Sequence, residues 1–335
     1  MAELLAGLNS WLHHKTMTAR LMSMRRDVEF RVEDGTVLRG YFHAPDRGNG
    51  PAIVMAHGFS GVKEQIDHYA ALFATGGFAV LVYDHRGFGT SAGTPRLEVD
   101  PLHQLADWRD AIGFAVAQPE VHPGVRVGVW GSSFAGGLAM VLAANDGRVG
   151  CVVAQIPNVS GHRNGSQMFS SAQRAELERL FADDRRSRLG GSEPARIAVF
   201  ATTPGQPCAL PPAVSHRYVD AVTALTPTWV NEVTLRSVEN MLAFEPAGWV
   251  PYVSPTPLLM IVGANDGVTF PDLQQEVFHT ASEPKRLVVH PGGHFDTYSQ
   301  HFEQTSHAAL EWFTEHLGAA LTSRAEAGTV RTKPV

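Results

Sequence analysis

Cysteine is scarce in this 335-residue chain: Cys151 and Cys208 stand far apart and outside any C-x-x-C pattern. That argues against a disulfide framework and fits a reducing, cytoplasmic setting. Long apolar runs are missing too. None approaches the roughly 20 residues that a membrane-spanning helix requires. Positive charge is in deficit, with 27 Lys and Arg against 33 Asp and Glu, a net charge of -6. Nucleic acid and anionic membranes are therefore not expected partners. The 16 histidines form no H-E-x-x-H or comparable ligand spacing, so no metal or other cofactor is expected. No internal repeat appears.

What remains is the composition of an ordinary globular chain, 44% hydrophobic and 18% charged, long enough for one large domain carrying an insertion. The N-terminal stretch "MAELLAGLNSWLHHKTMTARLM" spaces Leu4, Leu5, Leu8, Trp11 and Leu12 helically. Glu3 replaces a basic leader, so residues 1–25 are expected to be a packed helix of the mature protein and not a secretion signal. "VEFRVEDGTVLRGYFHAP" then alternates around Asp34-Gly35, predicting a hairpin with strands Val28–Val32 and Thr36–His43.

Beyond the hairpin the pattern changes. Short, wholly apolar runs at Ala52–His57, Phe78–Asp84, Val125–Gly131 and Cys151–Ile156 predict strands buried on both faces. Helical stretches separate them at Gln65–Thr75, Pro101–Ala117 and Phe134–Ala144. Strands alternating with helices imply a parallel sheet covered on both sides, an α/β class chain. The alternation resumes at Pro257–Gly263, followed by a helix at Pro271–Ala281, a strand at Lys285–Pro291 and a last helix at Thr297–Leu317. The core is therefore assigned to residues 1–157 and 256–320. Residues 158–255 are too many for a loop and are expected to form a mainly helical cap. The charged run "AQRAELERLFADDRRSRL" within them is expected to be a solvated helix face, and residues 321–335 a frayed tail.

Chemistry concentrates at the joint after the third buried run, Gly131-Ser132-Ser133-Phe134-Ala135-Gly136. Read on Ser133 it is G-x-S-x-A, close to the G-x-S-x-G nucleophile elbow. A sharp strand-to-helix turn needs small residues two positions either side of the nucleophile, because the two backbones nearly touch there. Gly131 and Ala135 supply them. Read on Ser132 the flanks would be Trp130 and Phe134, too bulky, so Ser132 is expected to be a bystander. For this elbow the acid comes next and the histidine last. "LLMIVGANDGVTF" offers Asp266, although Asn265-Asp266-Gly267 is also a plain turn sequence. "VVHPGGHFDTY" offers His294 in a glycine-rich loop; His290 falls inside the strand and His301 inside the last helix. Asp84, Asp272 and Asp296 are the competing acids.

Two further loops bear on the joint. "VMAHGFSG" follows the first buried run and is the natural source of an oxyanion site, made by the backbone amides of Phe59 and Phe134. His57 is expected to support that loop, and Ser60 lacks the glycine spacing of a nucleophile. "YDHRGFGTSAG" is glycine-rich but has neither a Walker lysine nor a G-x-G-x-x-G opening a helix, so it reads as a turn and not a phosphate cradle.

Taken together, the H-G-F loop, the D-x-R-G-x-G-x-S loop, the elbow, the late acid and the late histidine resemble the α/β-hydrolase superfamily. Within it, "HGFSGVKE" and "SFAGG" are most similar to the dienelactone hydrolase and X-prolyl dipeptidyl peptidase-like branch, which includes polyketide acyl transferases. The resemblance implies a serine hydrolase with the triad Ser133, Asp266 and His294, acting on an ester or thioester. The aromatic and methionine residues between 158 and 255 suggest an apolar or aromatic substrate bound beneath the cap. Acyl transfer to another acceptor, C–C bond hydrolysis, peptide cleavage and a non-catalytic binding protein are the alternatives. A homo-oligomer is compatible with the sequence.

Overall fold

The structure is a computed structural model that describes residues 25–46, 48–203, 205–210 and 222–318. The expected N-terminal helix lies outside the described residues except for Arg25, which opens a strand instead. The expected tail also lies outside them. Asp34 and Gly35 turn the chain as the hairpin reading required: Gly35 takes φ 85°, and the Asp34 carboxylate accepts the Thr36 N–H. The turn joins β1 (Arg25–Arg31) and β2 (Val37–His43) in antiparallel register, with Phe30 opposite Leu38.

The apolar runs become β3 (Ala52–Ala56), β4 (Ala79–Tyr83), β5 (Val127–Ser132), β6 (Val149–Gln155), β9 (Leu258–Gly263) and β10 (Lys285–His290). With the hairpin they form one eight-stranded sheet in the order β1-β2-β4-β3-β5-β6-β9-β10. Every pair from β4 to β10 is parallel, and β2 joins β4 antiparallel. Alternate residues of one strand serve different cores. Ala52, Val54 and Ala56 pack on one face, under α2 (Pro101–Val116), α3 (Phe134–Asn145) and α7 (Pro271–Thr280). Ile53 and Met55 pack on the other, under α1 (Asp67–Thr75) and α8 (Phe302–Phe313). Double burial is why these strands show no polar alternation.

One predicted helix is broken. In place of a continuous Thr297–Leu317, a 3₁₀ turn at Phe295–Tyr298 precedes α8, and a π turn at Thr314–Gly318 follows it. The Asp296 carbonyl accepts both the Ser299 and His301 N–H groups, closing the chain on itself before α8 begins.

The insert between β6 and β9 is mostly helical among the described residues, with one short two-stranded ladder. It runs through α4 (Gly161–Met168) and α5 (Ser171–Leu189), then β7 (Arg196–Ala198) pairs antiparallel with β8 (Glu232–Thr234). It ends in α6 (Leu235–Ala243) and a 3₁₀ helix, Pro246–Tyr252. Burial of Ile197 and Val233, which face each other in that small ladder, explains why extended chain wins there. The charged run is α5. It starts at a capping box formed by Ser170 and Gln173, buries only Leu177 and Asp184, and pairs Arg179 with Glu176 and Asp183 along its solvated side.

Candidate active site

Parallel strands point their C-terminal ends the same way, so loops leaving β3, β5, β9 and β10 converge on one rim. Ser133 sits at the end of β5, where the chain must reverse within one residue to enter α3. It does so with φ 58° and ψ -119°, a conformation costing a non-glycine residue about 1–3 kcal/mol. The surroundings impose it. The Ser133 N–H donates to the Gln155 carbonyl, while the Ser133 carbonyl accepts from Gly136 and Asn158. The requirement for small residues is literal: a Cβ on Gly131 would lie 2.0 Å from the Ala135 carbonyl oxygen, and one on Gly137 2.4 Å from that of Asn158. Ser132 points elsewhere, its hydroxyl 2.6 Å from that of Tyr298.

Asp266 follows β9, and the structure shows why turn and acid need not be rival readings. Its Oδ1 accepts the Val268 and Thr269 N–H groups, which is the turn. Its Oδ2 is left for His294 Nδ1, at 2.8 Å, and for the Thr269 hydroxyl, also at 2.8 Å. Burial opposes ionisation of this carboxyl. The His294 charge and hydrogen bond, with the two amides, outweigh burial and hold it below its usual range. An ionised carboxylate only accepts, so Nδ1 of His294 carries a proton in this bond.

Thr269 is a residue that sequence reasoning missed. Its hydroxyl lies 3.0 Å from the Ile156 carbonyl and 3.2 Å from His294 Nδ1, and it lines the same small cavity as Ser133. The structure therefore brings Asp266 and His294 into direct contact and joins them to the Ser133 cavity through Thr269. No hydrogen bond links Ser133 Oγ to His294 among the described residues. The signal for Thr269 was present as Asp-x-x-Thr, the pattern of a carboxylate that takes amides two and three residues on.

Phe59 and Phe134 meet at the cavity with ring centroids 6.1 Å apart. Phe134 opens α3, where a helix leaves its first N–H groups unbonded. The loop carrying Phe59 presses against the serine: a Cβ on Gly58 would lie 3.0 Å from Ser133 Cβ. His57 uses both ring nitrogens to hold that loop, donating to the Gly58 carbonyl and accepting from the His85 N–H. Burial, chiefly, keeps its pKa below the usual histidine value. The loop is further tied down by a buried ion pair, Lys63 Nζ to Asp84 Oδ2 at 2.7 Å, which the sequence did not reveal. Asp84 is thus a loop anchor; it also accepts from the Lys63 and Thr90 amides. His290 bonds to Gly292 and Thr297, and Asp272 and Asp296 accept bonds from Gln167 and Gly293. Among the described residues no group of His, Cys, Asp or Glu is arranged to hold a metal, and no helix is long and apolar enough to cross a membrane.

The family described as X-Pro dipeptidyl-peptidase (S15 family) matches residues 34–296, from the hairpin turn to just past His294. The chain belongs to this family. The family match and the fold place it in the α/β-hydrolase superfamily. A polyketide transferase of Stachybotrys chlorohalonatus is 33% identical over 268 residues, 79% of this chain and 88% of its own length. A thiohydrolase of Eupenicillium brefeldianum is 34% identical over 289 residues, 84% of this chain and 91% of its own. The crystal structure of the α/β hydrolase GrgF from Penicillium sp. sh18 superposes with a TM-score of 0.77 at 29% identity, covering 88% of this chain and 99% of that one. Membership of the S15 family makes the chain a hydrolase-family enzyme.

Proposed function

We propose that the protein moves acyl groups out of thioesters, or related oxygen esters, through a covalent intermediate on Ser133. The observation that carries this reading is a serine held in a strained reversal at a cavity that also exposes Thr269, the partner of a bonded Asp266–His294 pair. His294 Nε2 takes the proton from Ser133 Oγ as Oγ attacks the carbonyl carbon. The amides of Phe59 and Phe134 hold the oxyanion. Collapse breaks the bond to the leaving thiolate or alkoxide, which collects the proton from His294. Water, or a hydroxyl of another molecule, then repeats the sequence on the acyl-serine. Asp266 holds the imidazole tautomer and stabilises the imidazolium formed in each half-reaction.

The names of the relatives, thiohydrolase and polyketide transferase, support a thioester over a peptide. So does the cavity. Its described lining is Phe59, Ser133, Phe134, Met168, Leu210, Met241 and small or amide residues, with no carboxylate to receive the free ammonium of a dipeptide. The insert roofs the cavity and serves as a cap over an apolar substrate. The cavity volume is about 20 Å³, room for about one water, so side chains of its wall must rearrange before an acyl chain fits. Fluorophosphonate labelling with peptide mapping tests the reading, alongside turnover of acyl N-acetylcysteamine thioesters with and without an acceptor alcohol. Modification of Ser133 and its loss in Ser133→Ala are expected, with kcat falling on the order of 10⁶-fold. Substantial turnover by Ser133→Ala refutes the reading.

A further inference from the structure

Beside Asn158, Leu210 and Met241, the insert lines the Ser133 cavity with a stripe of α4: Gly161, Asn164, Gly165 and Met168, at the i, i+3, i+4, i+7 spacing of a single helix face. Asn164 is the only residue of that stripe with a polar side chain, and it is 3% exposed. Its Nδ2 donates to Asn158 Oδ1 at 2.7 Å, and Asn158 lines the same cavity. Among the described residues its Oδ1 has no donor. A buried amide oxygen without a partner is costly, and at a cavity wall it is a receptor for a donor that arrives from outside.

The stripe cannot easily turn away. A Cβ on Gly161 would lie 2.0 Å from the Met241 carbonyl oxygen, and one on Gly165 2.3 Å from Leu242 Cδ2, so α4 lies directly on α6. On its outer side Arg163 grips Glu276 through two hydrogen bonds. Asn164 is therefore presented by a clamped helix and oriented by Asn158, the pre-organisation that selectivity requires.

We propose that Asn164 is a specificity-determining residue that accepts a hydrogen bond from a hydroxyl on the acyl chain. The preferred substrates are then hydroxyacyl thioesters, with the hydroxyl a few atoms from the reacting carbonyl. This inference rests on the reading of Ser133 given above. A site built around an unpaired polar group rejects an analogue that leaves the group unpaired far more strongly than it senses an extra methylene.

The test uses N-acetylcysteamine thioesters of one chain length: unsubstituted, hydroxylated in turn at carbons 2 to 5, and the matching oxo compounds. kcat/KM is measured for the wild-type chain, Asn164→Leu and Asn164→Ala, with the rate of fluorophosphonate labelling as the check that the elbow is intact. The wild-type chain should favour one hydroxyacyl position over the unsubstituted chain by on the order of 10- to 100-fold. Asn164→Leu should erase that ratio, lowering kcat/KM for the preferred hydroxyacyl thioester more than for the unsubstituted one. The proposal is overturned by a wild-type chain indifferent to hydroxylation at every position, by a preference for the oxo compounds, or by a ratio that survives in both variants. The wild-type ratios decide against it even where neither variant folds. Labelling and turnover without hydroxyl discrimination defeat this inference alone, whereas no labelling and no thioester turnover defeat the acyl-transfer reading and this inference with it.

Discussion

Gly131→Ala is the sharpest perturbation the joint offers. The added Cβ would lie 2.0 Å from the Ala135 carbonyl oxygen and 2.5 Å from its carbon, where ordinary contact begins near 3.4 Å. Strand and helix must separate by more than an ångström. They are not free to do so, because Ser133 bonds to Gln155 on one side and Asn158 on the other. Overpacking of this kind costs about 1–3 kcal/mol of stability. A shift of that size at Ser133 costs on the order of 10² in rate, since near-attack geometry tolerates little displacement. Gly147→Ala is the matched control: it meets nothing within 4 Å and has no positive φ, so stability should be unchanged or rise by about 0.4–1 kcal/mol. Urea unfolding gives the first quantity and the fluorophosphonate labelling rate the second. A Gly131→Ala chain that matches the wild type in both would show that the joint is looser than described and that the small-residue argument is wrong.

Asp266→Asn should keep the fold, because the amide oxygen still accepts the Val268 and Thr269 N–H groups. Its NH₂ then faces His294 Nδ1, enforcing the wrong tautomer, and kcat should drop by on the order of 10⁴-fold in thioester assays. Lys63→Met strands the buried Asp84 carboxylate and should destabilise by about 3–5 kcal/mol; equilibrium unfolding measures it, and Asp84→Asn on the same chain should recover part of the loss. His290 has its pKa lowered to about 4, by burial first and by His301 second. The unfolded chain takes up that proton near pH 6.5 and the native one does not, so His290 contributes stability that is complete above pH 6.5 and lost as the pH falls toward 4. Unfolding midpoints of wild type and His290→Gln across that window should converge at low pH.

Much of this was legible because double burial leaves a plain signature. Runs such as Ala52–Ala56 and Leu258–Gly263 have no polar alternation, and the strands fall where those runs do. The placement of Asp266 and His294 after successive strands followed from the same runs, since parallel strands bring such loops to one rim. The missing pieces share a cause: they depend on partners distant in the chain. Lys63 and Asp84 read as unrelated charges until β3 and β4 lie side by side. The β7–β8 ladder is three residues long on each side, too short to show a period against the helices around it. The break before α8 is made by the Asp296 carbonyl, a main-chain group that carries no residue signature.

The bare side of α4 has an evolutionary corollary. Position 161 is closed to change, because a Cβ there collides with the Met241 carbonyl oxygen, and position 165 opens only if the Leu242 side chain swings aside. Drift in substrate range within this scaffold is thereby funnelled through 164 and 168, one turn apart. Other side chains can be sampled at those two sites while the helix stays in place, so a small library randomised at only these codons spans most of what that helix can present to the cavity.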